Sequence, residues 1–198
     1  MKTVSALEKE SLALRGRYDE EPSHSDHVAA LALQIFDGLG SWHKLGARSR
    51  ELLQSAALLH DIGWSQTPDG KGHHKWSAKL ILEHPWKTLT PEEMTLVAQV
   101  ARYHRKTPPL PDHEEFQALK APVKKSVMIL GGILRIADAL DRTHTARVKR
   151  LEALVKKEAL IVRVQADGNW NAERVTFEVK ADMLRSAANR DVQCEELD

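Results

Sequence analysis

An adjacent histidine and aspartate close the apolar run Ala56-Ala57-Leu58-Leu59-His60-Asp61-Ile62-Gly63, and this stretch limits the possible folds more than any other. A carboxylate at the inner end of an apolar helix is costly unless it is paired or holds a cation. Whatever surrounds Asp61 must therefore be a polar centre built inside a core. Gly63 is expected to stop the helix.

Three further apolar stripes run into a polar residue. Between Ser23 and Leu39, Val28, Leu31, Ile35 and Leu39 recur at helical spacing. His24 falls on the same face and His27 at its edge. Ser23 and Asp26 are spaced as a capping box. A helix over 49–61 puts Leu52, Ala56, Leu59 and His60 on neighbouring azimuths. Thr90-Pro91-Glu92-Glu93 starts another, with Thr90 as N-cap and proline in the first turn, and its face of Val97, Val100 and Ala101 ends in His104. Over 123–144, Val127, Leu130, Gly131 and Leu134 lead to Asp138, with Asp141 close to the same face. One such histidine reads as a hydrogen-bonded core residue; several such stripes read as a ligand set. Imidazole with carboxylate suits a divalent transition metal (Mn, Fe, Co, Ni or Zn) better than Mg, and a helical bundle can deliver both from facing helices.

The remaining segments complete a mainly α expectation: a helical domain over 1–150 with a small appendage over 151–198. A modest helix spans 4–17. After the turn-rich loop 65–72, His73-His74-Lys75-Trp76 opens a short helix to Glu83, and three prolines make 107–112 irregular. The spacing predicts a charged helix over 149–157, then a hairpin from Leu160-Ile161-Val162-Arg163-Val164-Gln165 and Arg174-Val175-Thr176-Phe177-Glu178-Val179-Lys180. A helix over 182–190 and a frayed acidic end follow. The hairpin either covers the core or makes a homodimer contact.

With 29 Lys+Arg against 28 Asp+Glu in 198 residues, nothing global favours nucleic acid or a membrane surface. The lone Cys194 rules out an internal disulfide, and the charged N-terminal region has no apolar leader, so a cytoplasmic protein is expected.

His24, His60-Asp61 and Asp138 in Leu134-Arg135-Ile136-Ala137-Asp138-Ala139-Leu140-Asp141-Arg142 resemble the HD superfamily of metal-dependent phosphohydrolases. With Gly72-His73-His74-Lys75 and Ala101-Arg102-Tyr103-His104-Arg105-Lys106, the chain is most similar to the C-terminal HD region of the exopolyphosphatase and guanosine pentaphosphatase (Ppx/GppA) family, here as a stand-alone chain. The resemblance covers nearly the whole sequence. It implies a centre of one or two ions with His24, His60, Asp61 and Asp138 as ligands of the first; in two-metal members of the superfamily extra histidines bind a second ion, and His73, His74 and His104 occupy comparable places. Asp61 would bridge them, and a metal-activated water would attack a small phosphorylated or nucleotide-like substrate. Lys75 and Arg105 are candidate catalytic residues with Asp61; Lys75, Arg105, Lys106, Arg135 and Arg142 are candidate phosphate ligands.

Three departures shape this expectation. The actin-like domains that carry polyphosphate hydrolysis in the larger family are not in this sequence, so that activity does not transfer. Arg105-Lys106-Thr107-Pro108 lacks the Gly-Tyr-Pro signature of cyclic dinucleotide hydrolases. Trp76 stands where similar proteins often carry a histidine. The alternative function is a non-catalytic HD-type module that binds polyphosphate, a (p)ppGpp-like nucleotide or a partner protein; a third is a helical bundle with purely structural His-Asp hydrogen bonds.

Overall fold

The computed structural model describes residues 4–197. It is mainly helical, as expected. In chain order the elements are α1 (Ala6–Arg15), α2 (Pro22–Gly38), α3 (Gly40–His43), α4 (Ala47–Leu59), a 3-10 turn (Ile62–Gln66), α5 (His73–Glu83), α6 (Pro91–Arg102), α7 (Glu114–Gln117) and α8 (Ala121–Ala139). Strands β1 (Val148–Val155) and β2 (Ala159–Ala166), helices α9 (Asn171–Lys180) and α10 (Asp182–Ala188), and strand β3 (Asp191–Glu196) follow.

The four long helices α2, α4, α6 and α8 form the body, α8 packing on α2 and α6 and α4 on α2 and α6. Their inner faces are the stripes read from the sequence: Val28, Leu31 and Ile35 meet Leu52, Ala56 and Leu59, Val97 and Val100, and Val127, Leu130 and Leu134, all nearly without solvent contact. Local signals set the ends. Thr90 Oγ1 accepts from the Glu93 amide while the Glu93 carboxylate accepts from the Thr90 amide, so the expected capping box opens α6. The box expected at Ser23 does not form: the N-cap is Glu21, two residues earlier, with Pro22 in the first turn and no side-chain cap. Gly63 does not end α4 either, since that helix closes at Leu59 and Gly63 lies inside the 3-10 turn.

The C-terminal part departs most from expectation. Residues 148–155 form a strand, not a charged helix, and 174–180 belong to a helix, not a strand. Strand β1 pairs antiparallel with β2, Leu151 opposite Val164 and Ala153 opposite Val162, and β3 adds to β2 in parallel. The Leu, Glu, Ala and Lys of 149–157 favour a helix in isolation, but pairing with the Val- and Ile-rich β2 overrides them. In α9 the buried side chains are Glu173 and Phe177, four apart, continued by Ala181 and Leu184; Val175 and Val179 face solvent at 56% and 67% exposure. The helical period therefore beats the apparent alternation. The acidic end is strand β3 up to Glu196. α10 lies so close on α8 that a Cβ at Gly132 would meet the Leu184 backbone at 2.9 Å. The sheet rests on α2 through β1, and one apolar cluster runs from Leu7 to Val192. Among the described residues, no helix is long and apolar enough to cross a membrane.

Candidate metal centre

His24 enters from the first turns of α2, His60 from the residue after α4, Asp61 from the next position, and Asp138 from the last turn of α8. His24 and His60 are buried, while Asp61 and Asp138 keep 15% and 21% of their side chains open to the surface. His24 Nε2 lies 3.5 Å from Asp138 Oδ1 and 3.9 Å from Asp61 Oδ2; His60 Nε2 lies 3.7 Å and 3.5 Å from the same two atoms. On the other side of Asp61, Oδ1 faces His73 Nε2 at 3.2 Å and His104 Nε2 at 3.3 Å. The two oxygens of Asp61 thus look into two ligand groups: His24, His60 and Asp138 on one side, His73 and His104 on the other.

The outer nitrogen of each ring fixes what its inner nitrogen can do. His24 Nδ1–H donates to Asp141 Oδ2 at 2.8 Å, His60 to Ala57 O at 2.7 Å, His73 to Gly70 O at 2.8 Å and His104 to Ala101 O at 2.6 Å. Every neutral ring therefore turns a bare Nε2 lone pair inward. His73 Nε2 and His104 Nε2 stand only 3.2 Å apart with Asp61 Oδ1 beside both. Three acceptors at this separation repel unless a proton or cation lies among them. Likewise, the Nε2 atoms of His24 and His60 and Oδ1 of Asp61 have no hydrogen-bond partner in good geometry among the described residues. Two groups, His24 with His60 and Asp61, and Asp61 with His73 and His104, each bring their ligand atoms within 4.8 Å of one another, so each could hold a metal ion. The donor set and its unpartnered atoms fit divalent cations.

The protonation equilibria reflect the same negative pocket. Burial opposes a charge on His24, but the Asp138 and Asp141 carboxylates overcome it and raise its pKa to about 10. Burial likewise opposes a charge on His60, and Asp61 and Asp138 pull its pKa up. Burial alone would raise Asp61 and Asp138, yet the surrounding imidazoles hold both well below the usual carboxylate range. Burial pushes His104 down to about 4, so its ring stays neutral. A proton and a divalent ion compete for the same place.

Two cavities flank the centre. One, of about 410 Å³, reaches Asp61 and Asp138 and is lined on its far side by Arg105, Lys106, Arg142 and Lys180. The other, of about 530 Å³, reaches His24 and Asp61 and is lined by Asp19, Glu20, Glu21, Tyr18 and Trp64. One wall of the site is cationic and the other acidic and aromatic.

The structure separates the remaining expected residues. Arg105 and Lys106 do line the cationic cavity, and Arg142 stands exposed at its edge. Arg135 is not a free phosphate ligand: it is 1% exposed, and its guanidinium is filled by Asp182 (2.8 and 3.0 Å) and by the Tyr103 and Lys106 carbonyls (both 3.0 Å). It leaves α8 beside the stripe that ends in Asp138 and meets Asp182 at the start of α10. His74 and Lys75, one and two residues after His73 on α5, are not among the groups around Asp61 and line a separate cavity that Asp61 does not reach. His74 therefore does not join His73 and His104.

Sequence reasoning did not find four residues at the site. Asp141 acts through His24, and its other oxygen accepts from the Ala146 amide at 2.8 Å. His144 stacks on His24 with ring centroids 3.7 Å apart and donates from Nδ1 to Glu21 Oε2 at 2.9 Å. It does so from a left-handed backbone at φ 54°, in a loop anchored by the hydrogen bond from the Thr143 amide to Glu173 of α9. Trp64 stacks on His73 at 4.6 Å and leaves 44% of its surface open. Lys180 donates to His104 O at 2.7 Å, and burial brings its pKa down to about 8. Only Asp141 carried a signal, its position beside the stripe of α8; the others arrive through tertiary packing.

Fold and site together define a mainly helical protein with a buried His/Asp cluster able to hold metal ions. The family model described as Ppx/GppA phosphatase, domain III, matches residues 8–182, and the chain belongs to this family. Its function is accordingly phosphatase-related.

Proposed function

We propose that the chain is an HD-type, metal-dependent phosphohydrolase of the cytoplasm acting on a small phosphorylated or nucleotide-like substrate. The observation that carries the reading is the convergence of imidazole Nε2 atoms and Asp61 and Asp138 oxygens between a cationic and an acidic cavity. His24, His60, Asp138 and Asp61 Oδ2 would hold one divalent ion of the Mn, Fe, Co, Ni or Zn kind; His73, His104 and Asp61 Oδ1 would hold a second. Such ions lower the pKa of bound water toward neutrality and offset phosphoryl charge.

The protein's own groups do the rest. Arg105, Lys106, Arg142 and Lys180 receive the phosphoryl oxygens in the cationic cavity and stabilise charge that builds in the transition state. The Lys180 ammonium is held by the His104 carbonyl, so it is positioned before substrate arrives. Across the centre, Trp64 offers a ring face and Asp19, Glu20 and Glu21 offer acceptors. That wall suits an organic leaving group rich in hydroxyl, amine or aromatic surface and repels a second phosphoryl group. Asp141 and His144 position His24.

The test is hydrolysis of phosphomonoesters, nucleotides and pyrophosphates by purified protein with and without added Mn. Turnover that needs metal and is lost in Asp61→Ala supports the reading. Stoichiometric metal with no turnover on any member of the panel contradicts it and leaves a binding module.

A further inference from the structure

The acidic cavity of about 530 Å³ beside His24 and the cationic one over Asp138 share Asp61, Trp64 and His144 in their lining, so they meet at the centre between two aromatic rings. The phosphoryl half of a substrate belongs on the cationic side. Its other half must then enter a chamber whose outer lining carries Asp19, Glu20 and Glu21 and no lysine or arginine. Asp19 accepts from the Ser25 hydroxyl at 2.8 Å and from the Glu21 amide at 2.9 Å, and Glu21 accepts from His144 Nδ1 at 2.9 Å. Glu20 is exposed and has neither an ion pair nor a hydrogen bond among the described residues. Arg15 donates to Ser25 Oγ at 3.0 Å, but its charge is matched by Asp26.

The three carboxylates do not converge into a metal-ligand group; among the described residues only the clusters at Asp61 do so. Their negative field is spread along a wall and suits a large, weakly hydrated cation better than a bare ion. Trp64 supplies the matching surface. Its ring is held by stacking on His73 and by Gly70, where a Cβ would collide with it, yet 44% of the residue stays open. An indole face is the best aromatic partner for an organic cation, and Tyr18 adds a second ring to the lining. At the inner end stands His24, 4% exposed, whose Nε2 has no hydrogen-bond partner among the described residues, so the chamber ends on a buried nitrogen that calls for a ligand.

We propose that this chamber is a leaving-group subsite that selects an organic ammonium, so that the substrate is a phosphomonoester of an amino alcohol rather than a nucleotide or a pyrophosphate. The inference deepens the hydrolase reading and rests on it for the phosphoryl half; the cation half stands on the chamber alone. Water adds to phosphorus, the phosphorus–oxygen ester bond breaks, and the alcohol oxygen leaves with one of the water protons, giving the free amino alcohol and hydrogen phosphate. A nucleoside is neutral and gains no charge attraction from the three carboxylates, and a second phosphoryl group is repelled by them.

The test has a binding arm and a turnover arm. Choline, and the uncharged alcohol in which carbon replaces its nitrogen, are titrated into the full chain with and without added Mn and followed by the ligand's methyl proton resonance. Ethanolamine enters as a competitor and separates a primary from a quaternary nitrogen. Choline is expected to bind about tenfold tighter than the carbon isostere or better, and less tightly at high salt. Glu20→Gln should weaken it roughly threefold to tenfold and Trp64→Leu about tenfold. In the turnover arm, with Mn present, phosphocholine should exceed the phosphate ester of the carbon isostere about tenfold in kcat/KM, and Glu20→Gln should narrow that ratio. Equal binding of choline and its isostere, equal kcat/KM for the two esters, or choline binding unchanged in Glu20→Gln and Trp64→Leu variants that melt as wild type does would overturn the subsite. Choline bound as expected with no turnover of any ester would instead overturn the hydrolase reading and leave the cation subsite standing.

Discussion

Gly63→Ala is the smallest change that should disrupt both the packing and the centre. A Cβ at this position would stand 2.2 Å from His73 O, 2.5 Å from Ser77 N and 2.8 Å from Trp76 Cβ. Two of these are backbone atoms of the first turns of α5, so no side-chain rotation relieves the clash. The Gly63 amide also donates to Ser77 Oγ at 2.9 Å, tying the 3-10 turn to the same helix. Ordinary contact requires α5 to retreat by about 1 Å, at a cost near the upper end for overpacking, about 3 kcal/mol. The helix carries His73, whose Nε2 is 3.2 Å from Asp61 Oδ1, and metal ligands tolerate displacements of only about 0.2 Å. The variant should therefore lose stability in urea titration of the metal-free chain and, separately, lose the ion on the His73 side first. A variant within about 0.5 kcal/mol of wild type and with unchanged metal content would refute the close-approach account of this glycine.

Three further outcomes are expected. Asp141→Asn keeps the shape of the partner but not its charge, so affinity of the His24 side for metal should drop about 10–100-fold in a competition titration while the melting temperature changes little. Arg135→Met leaves Asp182 and the Tyr103, Lys106 and Lys180 carbonyls without their donor and should cost roughly 3 kcal/mol in denaturant with no rise in KM; a raised KM at unchanged stability would restore Arg135 as a substrate ligand. The Arg48 guanidinium, at 2.7 Å, holds the Glu93 carboxyl at about 2, below its usual 4.5, with the Thr90 amide assisting. A depressed carboxylate stabilises above its unfolded pKa and loses that contribution as pH falls toward its folded value. Between pH 5 and 2 wild type should thus lose about 1 kcal/mol more than Glu93→Gln, a figure reduced because Arg48 is 42% exposed.

The body and most of the centre were legible because α2, α4, α6 and α8 are long and periodic; α2 and α8 carry His24 and Asp138 themselves, while His60 and His104 follow just beyond the ends of α4 and α6. His24 could be preferred to His27 for the same reason: its ring is buried at the cluster, while His27 sits half-buried beside it. What single-helix geometry could not reach is whatever depends on a second element. Arg135 was expected as a phosphate ligand from the family resemblance, and only the position of α10 decides that Asp182 meets it. His73 and His74 are indistinguishable as a pair until the path of the 3-10 turn and Gly72 fixes which one faces Asp61. The carbonyls of Ala57, Gly70 and Ala101, which orient three of the rings, leave no mark in side-chain identity. In the C-terminal part, short segments of mixed propensity were decided by pairing and burial: 148–155 by its partner strand, 171–180 by Glu173 and Phe177.

The most direct measurement of the central claim is the number of divalent ions bound per chain, read by equilibrium dialysis of chelator-treated protein against Mn or Zn. Wild type should bind two, His73→Ala one, and Asp61→Ala should lose both high-affinity sites, because its two oxygens serve both groups. Wild type that takes up no ion at millimolar metal, or Asp61→Ala that binds as wild type does, would contradict it.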